Sequence, residues 1–286
     1  MELLINLSIN GLATGLLLFL LASGLSLIFG LMDVLNFSHG ALFAWGAYAG
    51  VWAYSVTGSF VAGIAAALIA GVVLGFLLER FIIQPVYGNH IRQILITLGM
   101  MLVLNELLKV VWGPDQKSAA TPSYLSGSWL LGDVTLIKYR LFIIVVGLIV
   151  FVLLYYLLNH TRMGLIVRAG VINKEMVQAL GINIHRVFMG VFILGSALAA
   201  LAGALFAPYS GVIYAELGME FAILAFIVVV IGGMGNIVGS LMAALLVGLT
   251  GAYLAYFVPE LSLAANMLLM AVILLWKPSG LFGVKR

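Results

Sequence analysis

The chain contains no cysteine and very little charge. Of its 286 residues, 8% are Asp, Glu, Lys or Arg, while 64% are apolar or aromatic. Without Cys there can be no disulfide framework and no thiolate-held metal or iron–sulfur site. The scarcity of charge excludes more. A soluble domain carries ~25% charged residues and ~45–50% apolar ones. Thirteen basic and ten acidic side chains cannot cover a body of this size in water. Lipid must therefore be the solvent for most of its surface. A soluble enzyme, a nucleic-acid-binding domain and a disordered chain are all excluded.

Missing motifs narrow the field again. No Lys follows a Gly, so there is no GxxxxGK[ST] phosphate loop, and ATP is not bound by this chain in that way. None of His39, His90, His160 and His185 belongs to an HExxH pair, no Gly-x-Ser-Gly nucleophile segment occurs, and no Asn-Pro pair suggests an aquaporin-like pore. No Lys or Arg precedes the first apolar run, which argues for a retained span over a cleaved signal peptide.

What is present is a series of long apolar runs. A span needs roughly 20 such residues, and 7–30, 34–54, 60–78, 94–112, 141–158 and 187–207 qualify. The run 221–257 is too long for one crossing and is interrupted by Gly232, Gly233, Gly235 and Asn236, so it reads as two crossings or as one crossing with a re-entrant hairpin. A short run over 261–276 follows. The expected fold is an all-α, polytopic transmembrane bundle of eight or nine spans, forming one domain over 1–286. With nine crossings, Arg80, Arg92, Arg162, Arg168, Lys174, Arg186, Lys277, Lys285 and Arg286 fall on one side, against Lys117, Lys138 and Arg140 on the other. The richer side is cytoplasmic by the positive-inside bias. This puts the C-terminus inside and the N-terminus outside.

Two loops stand out. Residues 113–140 lie outside and are rich in Ser, Gly, Pro and Thr. They are the expected docking surface for an external partner, through Asp115, Lys117, Asp133, Lys138 and Arg140. Residues 159–186 lie inside and still read as helical. Met176, Ala179, Leu180 and Ile184 recur at spacings of three and four, as in a short amphipathic helix at the membrane surface. Such a helix can anchor the loop to lipid or fill a groove on a partner.

Glycine is abundant, 33 residues against an average near ~7%. Pairs four apart, such as Gly11 and Gly15 or Gly46 and Gly50, suit close helix packing in lipid. Two places ask for more. Asn36-Phe37-Ser38-His39-Gly40 and Gly232-Gly233-Met234-Gly235-Asn236 each open a small-residue helix, with Asn36 aligned on Asn236. Paired breaks of this kind point to a transporter's pathway. The same pattern also fits two cytoplasmic turns with Asn as the N-cap. Asn36, Ser38, His39, Gly233 and Asn236 are the candidate pathway residues, and no catalytic or metal site is expected. Glu106 and Lys109, three apart on one run, form an interfacial ion pair on this spacing.

Several stretches together resemble a known family. They are Gly24–Gly30 leading to Asn36–Gly40, the segment 164–182 with Arg168-Ala169 and Ala179-Leu180-Gly181-Ile182, the Gly232–Gly235 break, and the ending Lys277-Pro-Ser-Gly-Leu-Phe-Gly283. In this order they resemble the LivH-type permease of bacterial branched-chain amino acid ABC importers, over about residues 10–283. Ser38 departs from the Ala often found in that family. The resemblance implies a bacterial inner-membrane permease subunit that carries leucine, isoleucine and valine. It also implies a second, LivM-type permease, two ATP-binding subunits of LivG and LivF type, and a periplasmic amino-acid-binding protein. No cofactor is implied on this chain, because ATP is bound by the partner subunits. It assigns ATPase coupling to the inner loop, with Gly164, Arg168, Ala169, Glu175, Ala179, Leu180 and Gly181 as its residues. Permeases for urea and short amides share the family. A self-contained channel, or an intramembrane enzyme using His39 or Glu106, are the readings from other classes.

Overall fold

The computed structural model describes residues 2–131 and 134–283. Asp133, Lys285 and Arg286, named above, lie outside them. Eleven α-helices are described: α1 (Glu2–Met32), α2 (His39–Thr57), α3 (Phe60–Leu77), α4 (His90–Trp112), α5 (Lys138–His160), α6 (Arg162–Ile172), α7 (Lys174–Ala179), α8 (Ile184–Ser210), α9 (Leu217–Gly232), α10 (Ile237–Phe257) and α11 (Pro259–Trp276). Six are long and apolar enough to cross a membrane, namely α1, α3 with its extension to Val86, α4, α5, α8 and α10; Leu217–Gly232 and Ala264–Trp276 are shorter apolar helices.

The sequence count of eight or nine is therefore larger than the six full-length helices, and the reason is geometric. The segment after α1 turns back into the bundle. Val34, Asn36 and Ser38 are buried, and the His39 ring nitrogen Nε2 lies 3.0 Å from the Leu21 carbonyl oxygen. Leu21 is eleven residues before the end of α1, or about 16 Å of helix at 1.5 Å per residue. So α2 starts well inside the bundle and not at 34, as the apolar run suggested. Its neighbour α9 does the same from the other end. Gly218 packs backbone to backbone on Gly40, where a Cβ on Gly218 would come within 2.6 Å of the Gly40 carbonyl oxygen. The N-termini of two helices thus abut inside the protein.

The core is built around α1 and α8. Most of α1 is buried, including Phe19, Leu20, Leu21 and Ile28. Its glycines admit backbones where a methyl group would not fit: Gly15 against Ala244, Gly24 against Gly195, Gly30 against Gly235. In lipid, apolar side chains gain little from leaving the solvent, and this close contact supplies the packing energy. By contrast α5 carries Val145, Leu148, Ile149, Val152 and Leu153 exposed, a face suited to lipid or another membrane subunit.

The fold is not purely helical. The segment between α4 and α5 holds β1 (Lys117–Ser118), β2 (Ser128–Leu131) and β3 (Val134–Ile137), and β4 (Val212–Ile213) follows α8. Antiparallel pairs join β2 to β3 and β1 to β4. The β1–β4 pair ties the loop to the re-entrant 211–216 segment, and Ala119 N–H donates to the Gly211 carbonyl at 2.8 Å.

Candidate functional site: a helix break at the bundle centre

The candidate site is the non-helical segment 33–38 and the start of α2. Three contacts hold it. Asp33 takes the left-handed conformation at φ 58°, and its carboxylate lies 3.6 Å from His90 Nε2 at the start of α4. Two turns further along α4, Thr97 Oγ1 lies 3.2 Å from the Leu35 carbonyl and shares its hydrogen with the Gln93 carbonyl at 2.8 Å. Ser38 Oγ donates to Asn36 Oδ1 at 2.6 Å, fixing the amide. These bonds satisfy the parts of a broken helix that lipid could not.

Two polar atoms stay unsatisfied. Asn36 Nδ2 and His39 Nδ1 are buried without a hydrogen-bond partner, on residues 3% and 1% exposed. Both residues line one small cavity of about 20 Å³, whose other walls are Leu25, Leu35, Phe37, Ala222, Ala225 and Phe226. Phe37 and Phe226 stack at 6.2 Å along one wall. The carbonyl of Leu21 can only accept, so His39 Nε2 carries the hydrogen, and the neutral ring presents Nδ1 as an acceptor. Asn36 therefore keeps one amide donor spare and His39 one imidazole acceptor, on residues set in an apolar wall.

The second break is built differently. Asn236 Oδ1 accepts from Gly239 N–H at 2.9 Å, an N-cap for α10, while its Nδ2 donates to the Phe282 carbonyl at 3.0 Å. Leu281 N–H donates to the Ile231 carbonyl at 2.7 Å. Gly233, at φ 93°, packs on Gly283 with no room for a side chain. The Gly-rich break and the Lys277–Gly283 ending, two separate motifs in the sequence, are thus one clasp. Asn236 does not share the Asn36 cavity. It borders a groove of about 390 Å³ with Asn159, Arg168, Met234 and Phe282. The structural counterpart of 33–38 is the re-entrant 211–216 segment, which leads into α9, where Gly218 meets Gly40.

The inner loop of the sequence analysis is two helices, not one. Asn173, extended at φ −153°, ends α6 and caps α7 by accepting from Met176 N–H at 2.9 Å. Gly164 sits where a Cβ would overlap the Leu157 and Leu158 carbonyls, so the α5–α6 corner needs glycine. Arg168 donates to Asn159 Oδ1 at 3.2 Å at the edge of the large groove. Ala169 is half-buried; Glu175 and Ala179 are exposed. Met176 and Leu180 are 60% and 73% exposed, and Gly181 turns the chain at φ 81°. Ile184 departs from the expected stripe. It opens α8 and is buried in the bundle, because the Gly181 turn carries it away from the Met176 face.

The expected Glu106–Lys109 pair is present at 3.0 Å, and Lys109 also reaches Glu216 at 2.9 Å. That hydrogen bond from Lys109 holds the Glu216 carboxyl below its ordinary value. One buried acid was missed. Glu79 is fully buried in a π-helical turn (Leu78–Ile83) that ends α3. Tyr87 Oη donates to its Oε1, while its Oε2 has no partner. Burial, and then that carboxylate, push the Tyr87 hydroxyl upward, and His185 stacks on the Tyr87 ring at 5.8 Å. In the sequence, Glu79-Arg80 looks like the charged end of a span, and nothing in it signals the π turn.

The comparisons agree with this architecture. The family described as branched-chain amino acid transport system, permease component, matches residues 7–276. The high-affinity branched-chain amino acid transport permease BraD of Pseudomonas aeruginosa is 30% identical over 291 residues, covering 96% of this chain and 94% of that one. LivH of Escherichia coli K12 is 28% identical over 96% of this chain and 94% of its own length. LivM of the same strain is 28% identical over 93% of this chain and 68% of its own. Among solved structures, PsaBC from Streptococcus pneumoniae in complex with Fab is similar in fold, with a TM-score of 0.51 at 12% identity over 93% of this chain and 89% of that one. With its run of apolar helices, its central break and this match over nearly its whole length, the chain belongs to the permease-component family of branched-chain amino acid transport systems.

Proposed function

We propose that this chain is one of two membrane-spanning permease subunits of an ABC importer. It carries branched-chain amino acids inward across the bacterial inner membrane, with its C-terminus in the cytoplasm. The family match over residues 7–276 carries this reading. Relatives named LivH and LivM both align with over nine-tenths of this chain, in keeping with a transporter built from two such subunits. The names of these relatives favour amino acids over urea or short amides, and transport over a self-contained channel. Hydrolysis of ATP belongs to two further subunits, and a periplasmic binding protein delivers the substrate to the 113–140 side.

On this reading α1 to α5 and α8 to α11 are the crossings, with α2 and α9 entering from re-entrant segments. The route runs past Asn36, Ser38 and His39. Gly233 and Asn236 shape its inner end by holding the C-terminal segment. Helices α6 and α7 couple the ATPases to the bundle. Gly164 sets the corner, Arg168 faces the groove beside it, Ala169 packs α6 on the core, and Glu175, Ala179, Leu180 and Gly181 form the contact. The exposed apolar side chains of Met176 and Leu180 support this, since a partner's groove would cover them.

The test is Ala179→Glu, which places a charge in that contact. The variant permease reaches the membrane at normal abundance but no longer copurifies with the ATP-binding subunits, and uptake of leucine is lost. Retained copurification with normal uptake overturns the coupling assignment.

A further inference from the structure

We infer that Asn36 and His39 form a donor–acceptor pair that holds the polar head of the passing amino acid. Asn36 Nδ2 donates to the carboxylate, and His39 Nδ1 accepts from the α-ammonium group. This rests on the proposal that the route runs past these residues, and it adds what they recognise. Buried polar atoms without partners are rare in native proteins, and each asks for an explanation. Here two occur three positions apart, lining the same cavity, with opposite hydrogen-bonding character.

Each is held in its role by a bond made at the other end of its side chain. Ser38 occupies Asn36 Oδ1, which leaves the amide hydrogens free. Leu21 occupies His39 Nε2, which leaves the Nδ1 lone pair free. The pair carries no net charge, so it matches a head group that has both an anionic and a cationic end. It does not trap an ion of either sign. The remaining walls, Leu25, Ala222, Ala225 and Phe226, suit an aliphatic side chain.

The experiment uses the complete transporter in proteoliposomes, with its binding protein and ATP. Asn36→Asp keeps the acceptor for Ser38 but removes the donor. His39→Phe keeps the size of the ring but removes the Nδ1 acceptor, together with the bond to Leu21. Each lowers leucine translocated per ATP hydrolysed by about tenfold, the effect of losing a hydrogen bond to a charged group. In parallel, Ala222→Cys provides the only thiol of this chain. A small cationic thiol reagent labels it during turnover, leucine protects it, and 4-methylpentanoate, which lacks the ammonium group, does not. This arm leaves Asn36 and His39 unchanged, so it decides the matter even where their variants fail to assemble. Equal protection by both compounds, or normal uptake per ATP in both variants beside a protected thiol, overturns the head-group pair and leaves the route standing. A thiol that is never reached or never protected overturns the route itself.

Discussion

The breaks at 33–38 and 233–236 look alike as sequence, each with an Asn before a small-residue helix, yet they are built to opposite ends. At 233–236 every side-chain polar atom of Asn236 has a partner, one in the α10 cap and one on Phe282. At 33–38 the bonds to Asp33, Leu35 and Ser38 fix the backbone and the amide, but Asn36 Nδ2 and His39 Nδ1 are left over. One break is closed by the chain's own C-terminal segment. The other is propped open. A polar break is a structural turn when its hydrogen bonds are all used at home, and a candidate site when buried ones are spare.

The largest effect tests what props the first break. Gly40 and Gly218 touch through their backbones, and a Cβ on Gly40 would overlap the Gly218 carbonyl oxygen. Gly40→Leu therefore costs about 3 kcal/mol or more by overpacking and removes folded protein from the membrane. Gly99→Leu, on an α4 face with nothing within 4 Å, leaves abundance and thermal stability close to wild type. Equal loss in both would show that the α2–α9 contact is not what holds the break.

Much of this was legible beforehand and some was not. Long apolar runs marked the helices, because lipid demands them, and the Lys277–Gly283 ending was noticed as a motif. Its docking on Gly232 and Gly233 was not readable, since main-chain bonds such as Leu281 to Ile231 leave no trace in residue type. The apolar run starts at 34, five residues before α2 does. Val34 is apolar because this non-helical segment packs it inside the bundle, and the half-buried Leu35 lines the cavity beside it. Asn36 was paired with Asn236 on local pattern, whereas the contact between Gly40 and Gly218 makes 211–216 its counterpart. The Asn173 cap that divides the inner loop followed from residue type but was masked by the apolar spacing across it.

The next effect concerns the corner between α3 and α4, which carries His90 and Thr97 to the first break. Tyr87→Phe strips the fully buried Glu79 of its hydrogen-bond donor and destabilises the permease by ~2 kcal/mol. Glu79→Gln costs less, because an amide oxygen still accepts from Tyr87 and the uncompensated charge is gone. Thermal unfolding in detergent ranks the two, and the reverse order would mean that the ionised carboxylate itself is needed.

At the second break, Asn236→Ala loses both the cap and the bond to Phe282, and Asn236→Asp loses only the latter. A lost N-cap costs ~1 kcal/mol. The Ala variant melts earlier than the Asp variant, and both transport the same leucine per ATP hydrolysed as wild type. A fall in that ratio at Asn236, comparable to the one at Asn36, would erase the distinction between the breaks.

The smallest effect lies on the re-entrant 211–216 segment, the true counterpart of 33–38. Its last residue, Glu216, is tied to Lys109, and that bond holds its carboxyl below the ordinary carboxylate range. A depressed pKa in the folded state means that the unfolded chain takes up the proton first. The contribution is therefore complete above the ordinary value, near pH 4.5, and fades as the pH drops below it. Both groups are solvent-accessible, so the change is modest and weakens with salt. Acidifying from pH 6 to pH 3.5 at low ionic strength lowers the melting temperature of wild type more than that of Lys109→Met, in which Glu216 has lost the bond. At high salt the two profiles converge. Identical profiles at low salt would mean that the ribbon pairing of Val212 and Ile213 with β1 holds this segment without the ion pair.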